Sequence, residues 1–335
     1  MLKRLLRIDL EEATFVRRNF RNPCQAVRKR LERVGATFLH GYHVALADAS
    51  LEDLSARLEL IEAEFRGFGY EGAAMALDLL DQLKPWKGRR IQRFIEGPGQ
   101  PHIYMVHVGI GWSLARFPWG MKRRLSRLDP LLRWLALDGF GFHEGYFHWA
   151  RYAGGGAAPK RLAGYALRAF DQGLGRSLWF VAGADPEWIA RAIMAFPESR
   201  HGDLWSGVGL ACAYAGGADG QQISRLRDAA GTYVRNLAQG AVFAAKTRER
   251  AHNPAPHTEL ACPLLCELPA AQAAAIADDA LLHARDGREP AYESWRRLIQ
   301  EHFCGSGQAE FPIGRQIGDR ALCLRKETED VARSQ

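Results

Sequence analysis

The sequence predicts an all-α protein, an internally duplicated and pseudo-symmetric body of helix repeats, on three observations. Apolar residues step by three and four along most of the chain, the spacing of one helix face. Strand signals are thin, with no sustained alternation and no Asn-Gly hairpin turn. Three short blocks also recur in the same order. Gly67-Phe68-Gly69-Tyr70-Glu71-Gly72 returns as Gly139-Phe140-Gly141-Phe142-His143-Glu144-Gly145, and Arg93-Phe94-Ile95-Glu96-Gly97 as Trp179-Phe180-Val181-Ala182-Gly183. Val108-Gly109-Ile110-Gly111-Trp112-Ser113 returns as Ser206-Gly207-Val208-Gly209-Leu210-Ala211. The separations widen from 72 to 86 to 98 residues, which places insertions in the second copy. The expected halves are residues 1–153, with the N-terminal helices, and 154–304, with the C-terminal ones. They join at Gly154-Gly155-Gly156-Ala157-Ala158-Pro159, and an irregular tail follows over 305–335.

The helices are justified in turn. Ser50 reads as an N-cap for Leu51, Leu54, Leu58, Ile61 and Phe65, with Asp53 at the third helical position. Ala73, Ala76, Leu77, Leu80 and Leu83 continue the pattern until Lys84-Pro85 ends it. Asp129-Pro130 and Asp185-Pro186 each read as a cap followed by proline in the first turn. From Asp219 one long helix is expected, its stripe running through Ile223, Leu226, Ala230, Val234, Leu237, Ala241 and Ala244. Two more follow, around Ala270–His283 and Pro290–Phe303.

Glycine inside a helix costs about 1 kcal/mol relative to alanine. Gly109, Gly111, Gly207 and Gly209 therefore need a close approach, either by a neighbouring backbone or by a ligand. Gly67-x-Gly69-x-x-Gly72 has the letters of a dinucleotide fingerprint but no preceding strand, so no nucleotide loop is expected.

Apolar residues make up 47% and charged residues 25%, as in soluble globular proteins. The nine Trp, sixteen Phe and nine Tyr are more than usual: core packing accounts for most of them, and the sharper reading is that several line a cavity for a flat or extended apolar ligand. The net charge of +7 is carried mainly by arginine, in clusters at Arg17, Arg18 and Arg21, at Arg28, Lys29, Arg30 and Arg33, at Lys87, Arg89, Arg90 and Arg93, and at Lys122, Arg123, Arg124 and Arg127. With no zinc-finger, RRM or basic-zipper signature, nucleic acid is not the expected partner. Solvated helix faces, an acidic protein or an anionic substrate account for the charge. No run is long and apolar enough for a signal peptide or a membrane span, and the six cysteines are scattered. A cytoplasmic protein with reduced thiols, without a metal or cofactor, is expected. Cys262 and Cys266 suit one helix face better than a zinc knuckle.

Candidate chemistry centres on two carboxylates. Glu71 and Glu144 occupy matching places in the first echo. If the halves pack about a twofold axis they would converge, and an apolar site splits the pKa values of such a pair into an acid and a base. The plainer account is that each caps a helix or bonds a buried amide. His102 and His107 are the candidate assisting groups. Phe94, Trp112, Trp179, Phe180, Trp205 and Asp203 are the candidate ligand-binding residues. His143 and His148 stand five apart, whereas a shared helix face needs four, so no metal site is read there.

Phe68-Gly69-Tyr70-Glu71-Gly72-Ala73-Ala74-Met75, the Gly139–Phe147 block, Asp203-Leu204-Trp205-Ser206-Gly207-Val208-Gly209 with its continuation to Gly217, and Phe38-Leu39-His40-Gly41-Tyr42 carry a family resemblance. Over about residues 5–305 the chain resembles the bacterial domain-of-unknown-function family described as enediyne biosynthesis proteins. The resemblance implies an accessory role beside an iterative polyketide synthase that makes a linear polyene. It carries over no catalytic residues. A polyene or polyyne intermediate would suit the aromatics, and an acidic carrier protein or the polyketide synthase itself would suit the arginines. The resulting expectation is a protein that binds or modifies such an intermediate in an apolar helical cavity, the choice between catalysis and binding alone being open. The alternative is a non-catalytic helical adaptor that scaffolds polyketide-synthase-associated enzymes or a carrier protein.

Overall fold

Long apolar stripes separated by short capped segments produce an alternation of long and short helices, and no strand occurs among the described residues. The computed structural model describes residues 6–47, 50–83 and 88–303. The expected tail, the Lys84-Pro85 stop, Lys87, Cys304 and Cys323 lie outside the described residues. The long helices are α1 (Gln25–Leu46), α2 (Ala63–Leu83), α3 (Ile103–Arg116), α4 (Arg133–His148), α5 (Tyr165–Val181), α6 (Glu198–Ala215) and α7 (Val234–Arg250). Behind them come α8 (Pro256–Cys266), α9 (Ala270–His283) and α10 (Ala291–His302). Each of α1 to α7 packs on the next, forming a row. The row curls so that α7 reaches back to α2, and α1 to the end of α6. Arg248 near the end of α7 donates to the carbonyls of Glu64 and Tyr214, both at 2.7 Å, and Arg30 on α1 reaches the Ala215 carbonyl, also at 2.7 Å. Met1–Phe303 is one compact unit that runs through the boundary expected at 153/154.

Local signals hold where the chemistry is local. Ser50 accepts from the Asp53 amide at 3.0 Å, and Asp185 from that of Trp188 at the same distance. The helix behind Ser50 stops at Glu59, however, and α2 starts afresh at Ala63. Arg66 satisfies the carbonyls of Glu59 and Ile61 opened by this break. The long helix expected from Asp219 is likewise two helices, Gly220–Ala230 and α7. Gly231 adopts a φ of 51° between them, a left-handed value open to glycine.

The helical glycines are spacers for neighbouring backbone. A Cβ on Gly72, Gly109, Gly139, Gly173, Gly207 or Gly240 would lie 1.7–2.1 Å from the carbonyl oxygen of Phe38, Glu71, Val108, Asp138, Gln172 or Ser206 respectively. In each case the contacted oxygen belongs to the residue just before the corresponding position of the preceding helix. A second glycine, at 41, 111, 141, 175 and 209, meets the backbone of the following helix at 1.9–2.1 Å. The recurrence is thus one helix long, and of the echoes seen in the sequence the one from Gly109-x-Gly111 to Gly207-x-Gly209 follows it. Two superposable halves are not what this packing shows.

This register fixes which side chains share a level. Phe38, Glu71, Val108, Asp138, Gln172, Ser206 and Gln239, one on each long helix, all lie buried. Adding a methyl group at such a contact forces the helices apart. Gly173→Ala is expected to lower stability by about 2–3 kcal/mol in a urea unfolding curve. Gly156→Ala, where a Cβ would meet nothing within 4 Å, is expected to leave the curve unchanged.

Candidate functional site

Four of the residues that share this level are polar or charged and hydrogen-bond in pairs. Gln172 donates to Asp138 at 2.9 Å, and Ser206 to Gln239 at 2.7 Å. Arg176, one turn beyond Gly173 on α5, donates to Asp138 at 2.5 Å with both side chains buried. From α10, Arg296 reaches Asp203 at 2.7 Å and Gln239 at 3.2 Å. Buried charges persist only when paired and hydrogen-bonded.

Glu71 breaks this pattern. It is 1% exposed, and neither carboxylate oxygen has a hydrogen-bond partner. Burial pushes its pKa up from an ordinary 4.5 to about 7. The Arg176 guanidinium and the Trp112 indole, whose N–H is close but outside hydrogen-bonding geometry, pull it part of the way back, while Asp138 pushes it up again. A carboxyl group that ionises near neutrality serves as both proton donor and proton acceptor.

Glu71 faces a narrow cavity of about 30 Å³, walled in large part by Phe38, Phe68, Trp112, Phe142, Tyr146 and Phe180. Trp112 packs at 4.5 Å on Phe38 and edge-on at 5.1 Å to Phe142, which in turn lies 5.4 Å from Phe180. Such tilted and edge-on contacts are the favoured aromatic geometries. A second small cavity, of about 20 Å³, is lined by Arg176 with Tyr104, Tyr214, Phe243 and Trp295.

Of the residues proposed from the sequence, Glu71, Trp112 and Phe180 line the first cavity and the others serve elsewhere. Phe94 stacks on Tyr70 at 5.6 Å, and His102 stacks on the same ring at 4.2 Å, its pKa lowered by burial to about 4. His107 is tied to the Ile103 carbonyl at 2.9 Å. Trp179 donates to the Gly216 carbonyl at 2.9 Å, Trp205 is buried, and Asp203 belongs to an ion network with Arg168 and Arg296. Glu144 is not among the cavity residues. The carboxylate that acts on Glu71 is Asp138, because Gly72 rather than Gly67 stands in register with Gly139. The signal that would have found Asp138 and Gln172 is the polar residue immediately before the glycine pairs at 139/141 and 173/175.

Glu144 sits instead in a cluster with His143 and His148, their ligand-type atoms all within 4.8 Å of one another. The spacing of five is reconciled because His148 ends α4 with a non-helical φ of −132°. This swings its ring back toward His143, to 6.0 Å between centroids. Burial pushes the Glu144 pKa up, but the close His143 imidazole, the hydrogen bond from Tyr152 and the nearby His148 ring outweigh it and leave a net lowering. Burial lowers His143 and His148.

Residues 1–303 match the family model for DUF1702, described as a protein of unknown function. The chain belongs to the DUF1702 family. No curated protein and no solved structure matches it. In this DUF1702 chain many arginines of the clusters are internal ties. Arg124 is buried against Asp78 and Ser113, Arg90 pairs with Asp81 at 3.1 Å, and Arg30 with Glu64 at 2.8 Å. Cys262 and Cys266 share a buried face of α8. Among the described residues no single helix is long and apolar enough to cross a membrane.

The Glu71 environment has a sign that stability measurements read. The folded chain keeps the Glu71 proton between about pH 4.5 and 7, where the unfolded chain releases it, so unfolding free energy falls as pH rises through that window. From pH 5 to pH 8 the native protein is expected to lose about 2–3 kcal/mol more than Glu71→Gln, as read from urea unfolding.

Proposed function

We propose that this protein binds a slender, unsaturated apolar chain in the cavity over Glu71, a linear polyene or polyyne intermediate of enediyne-type polyketide biosynthesis. The observation that carries the reading is the pairing of an aromatic-walled cavity with a single unpartnered carboxyl group poised near neutrality. The family resemblance supplies the ligand class. With about 30 Å³ of open space at rest, the cavity would admit a flat conjugated chain by displacement of the Trp112, Phe142 and Phe180 side chains, against which the chain would lie. Protonated Glu71 would hydrogen-bond or protonate a polarised position at Oε, and the carboxylate would take the proton back. Arg176 would stabilise the charged form, and the closed aromatic wall would exclude water.

One observation favours the adaptor reading as a second function. Trp119 is 74% exposed beside exposed Lys122, Arg123 and Arg127. An aromatic anchor set among cations suits an acidic carrier protein.

Titration with a synthetic conjugated polyene tests the first reading. Burial at about 25 cal/mol per Å² makes a long hydrocarbon worth several kcal/mol. Saturable quenching of tryptophan fluorescence is expected, weakened in Trp112→Phe and unaffected by salt. Glu71→Gln is expected to keep binding and lose any proton-transfer turnover. Absence of saturable binding would leave the adaptor as the function.

A further inference from the structure

We propose that His143, Glu144 and His148 form a site for one divalent transition-metal ion, held by two imidazole nitrogens and a carboxylate oxygen with at least one coordination position open. The site is separate from the apolar-cavity reading and stands or falls without it.

Geometry carries the assignment. The candidate ligand atoms all lie within 4.8 Å of one another, and His143 Nδ1 is already 3.5 Å from Glu144 Oε1. Metal bonds of about 2.0–2.2 Å put ligand atoms roughly 3.3 Å apart, so small side-chain rotations complete the set.

The second observation is His143 itself. It is 3% exposed, yet neither ring nitrogen has a hydrogen-bond partner. Trp112 at 5.5 Å and Phe147 at 4.8 Å are its aromatic neighbours. A buried polar group without a partner costs about 1–3 kcal/mol. An ion between His143 and Glu144 removes that cost at one nitrogen. The other Glu144 oxygen accepts from the Tyr152 hydroxyl at 2.9 Å, the kind of outer hydrogen bond that orients a ligating carboxylate. Half-buried His148, at the end of α4, leaves the cluster open to solvent on one side.

The donor set selects the ion class. Two imidazoles and one carboxylate suit zinc or ferrous-type ions, whereas magnesium and calcium require all-oxygen sites. Three arginines oppose a cation here, and each has an outlet. Arg151 lies 3.8 Å from Glu144 with a side chain 66% exposed, Arg116 is exposed, and Arg18 is paired with Glu12 at 2.9 Å. The ion displaces Arg151 from Glu144.

Full-length, tag-free protein is titrated with Co²⁺, read by visible absorption, and then with Zn²⁺. The expected result is a saturable band at one equivalent, abolished by Zn²⁺ and insensitive to Mg²⁺. His148→Ala and Glu144→Gln are each expected to weaken Co²⁺ binding at least tenfold, and Tyr152→Phe to weaken it by a smaller factor. Circular dichroism and melting curves establish that each variant is folded, and His148→Gln, which keeps more of the side-chain volume, replaces the alanine variant if that one melts early. No saturable band, or a band unchanged in both His148→Ala and Glu144→Gln, overturns the assignment.

Discussion

Backbone-to-backbone contact at glycine is the constraint from which the rest follows. Where Gly173 meets the Asp138 carbonyl there is no side chain between the helices to absorb a shift, and a Cβ would overlap the oxygen. Such a contact fixes the separation of two helices, and their register with it. Repeated from α1 to α7, it aligns one residue on each helix at a common buried level. The helical propensity lost at each glycine, about 1 kcal/mol, is offset by dense packing along the row.

That level is polar in the middle of an apolar body, which is electrostatically expensive. The expense is contained by pairing: Asp138 with Arg176 and Gln172, Asp171 with Arg200, Asp203 with Arg168 and Arg296. Removing one partner of such a buried pair costs about 3–5 kcal/mol, so the network also penalises helices that slip out of register. Glu71 is left without a hydrogen-bonding partner of its own and faces a cavity with aromatic walls. A group in that position stays proton-bearing near neutrality, and that property turns a packing feature into a candidate site.

The sequence disclosed what depends on near neighbours along the chain. The caps at Ser50 and Asp185 and the helix Ala270–His283 were legible because each rests on local spacing. Register was not legible, since the letters Gly-Phe-Gly match equally at Gly67 and Gly139 and only packing shows that Gly72 is the contact residue. The pairing of Glu71 with Glu144 failed for that reason. Many arginines looked like a surface feature because their partners are distant in sequence, as with Arg124 and Asp78 or Arg30 and Ala215. The break at Gly231 was masked by an apolar stripe that continues in phase on both sides of it. His148 approaches His143 only because its backbone leaves helical geometry, which an ideal helical wheel does not contain.

The charges that act on buried Glu71 are those of Arg176 and Asp138 rather than Glu144. Carbon-13 NMR titration of the Glu71 carboxyl in selectively labelled protein measures this directly. The predicted result is an apparent pKa near 7 in the native chain. Asp138→Asn should lower it clearly, because a neighbouring negative charge is lost and Arg176 is freed, while Glu144→Gln should leave it unmoved. A Glu71 pKa near 4.5, or one that responds to Glu144→Gln and not to Asp138→Asn, would contradict the account.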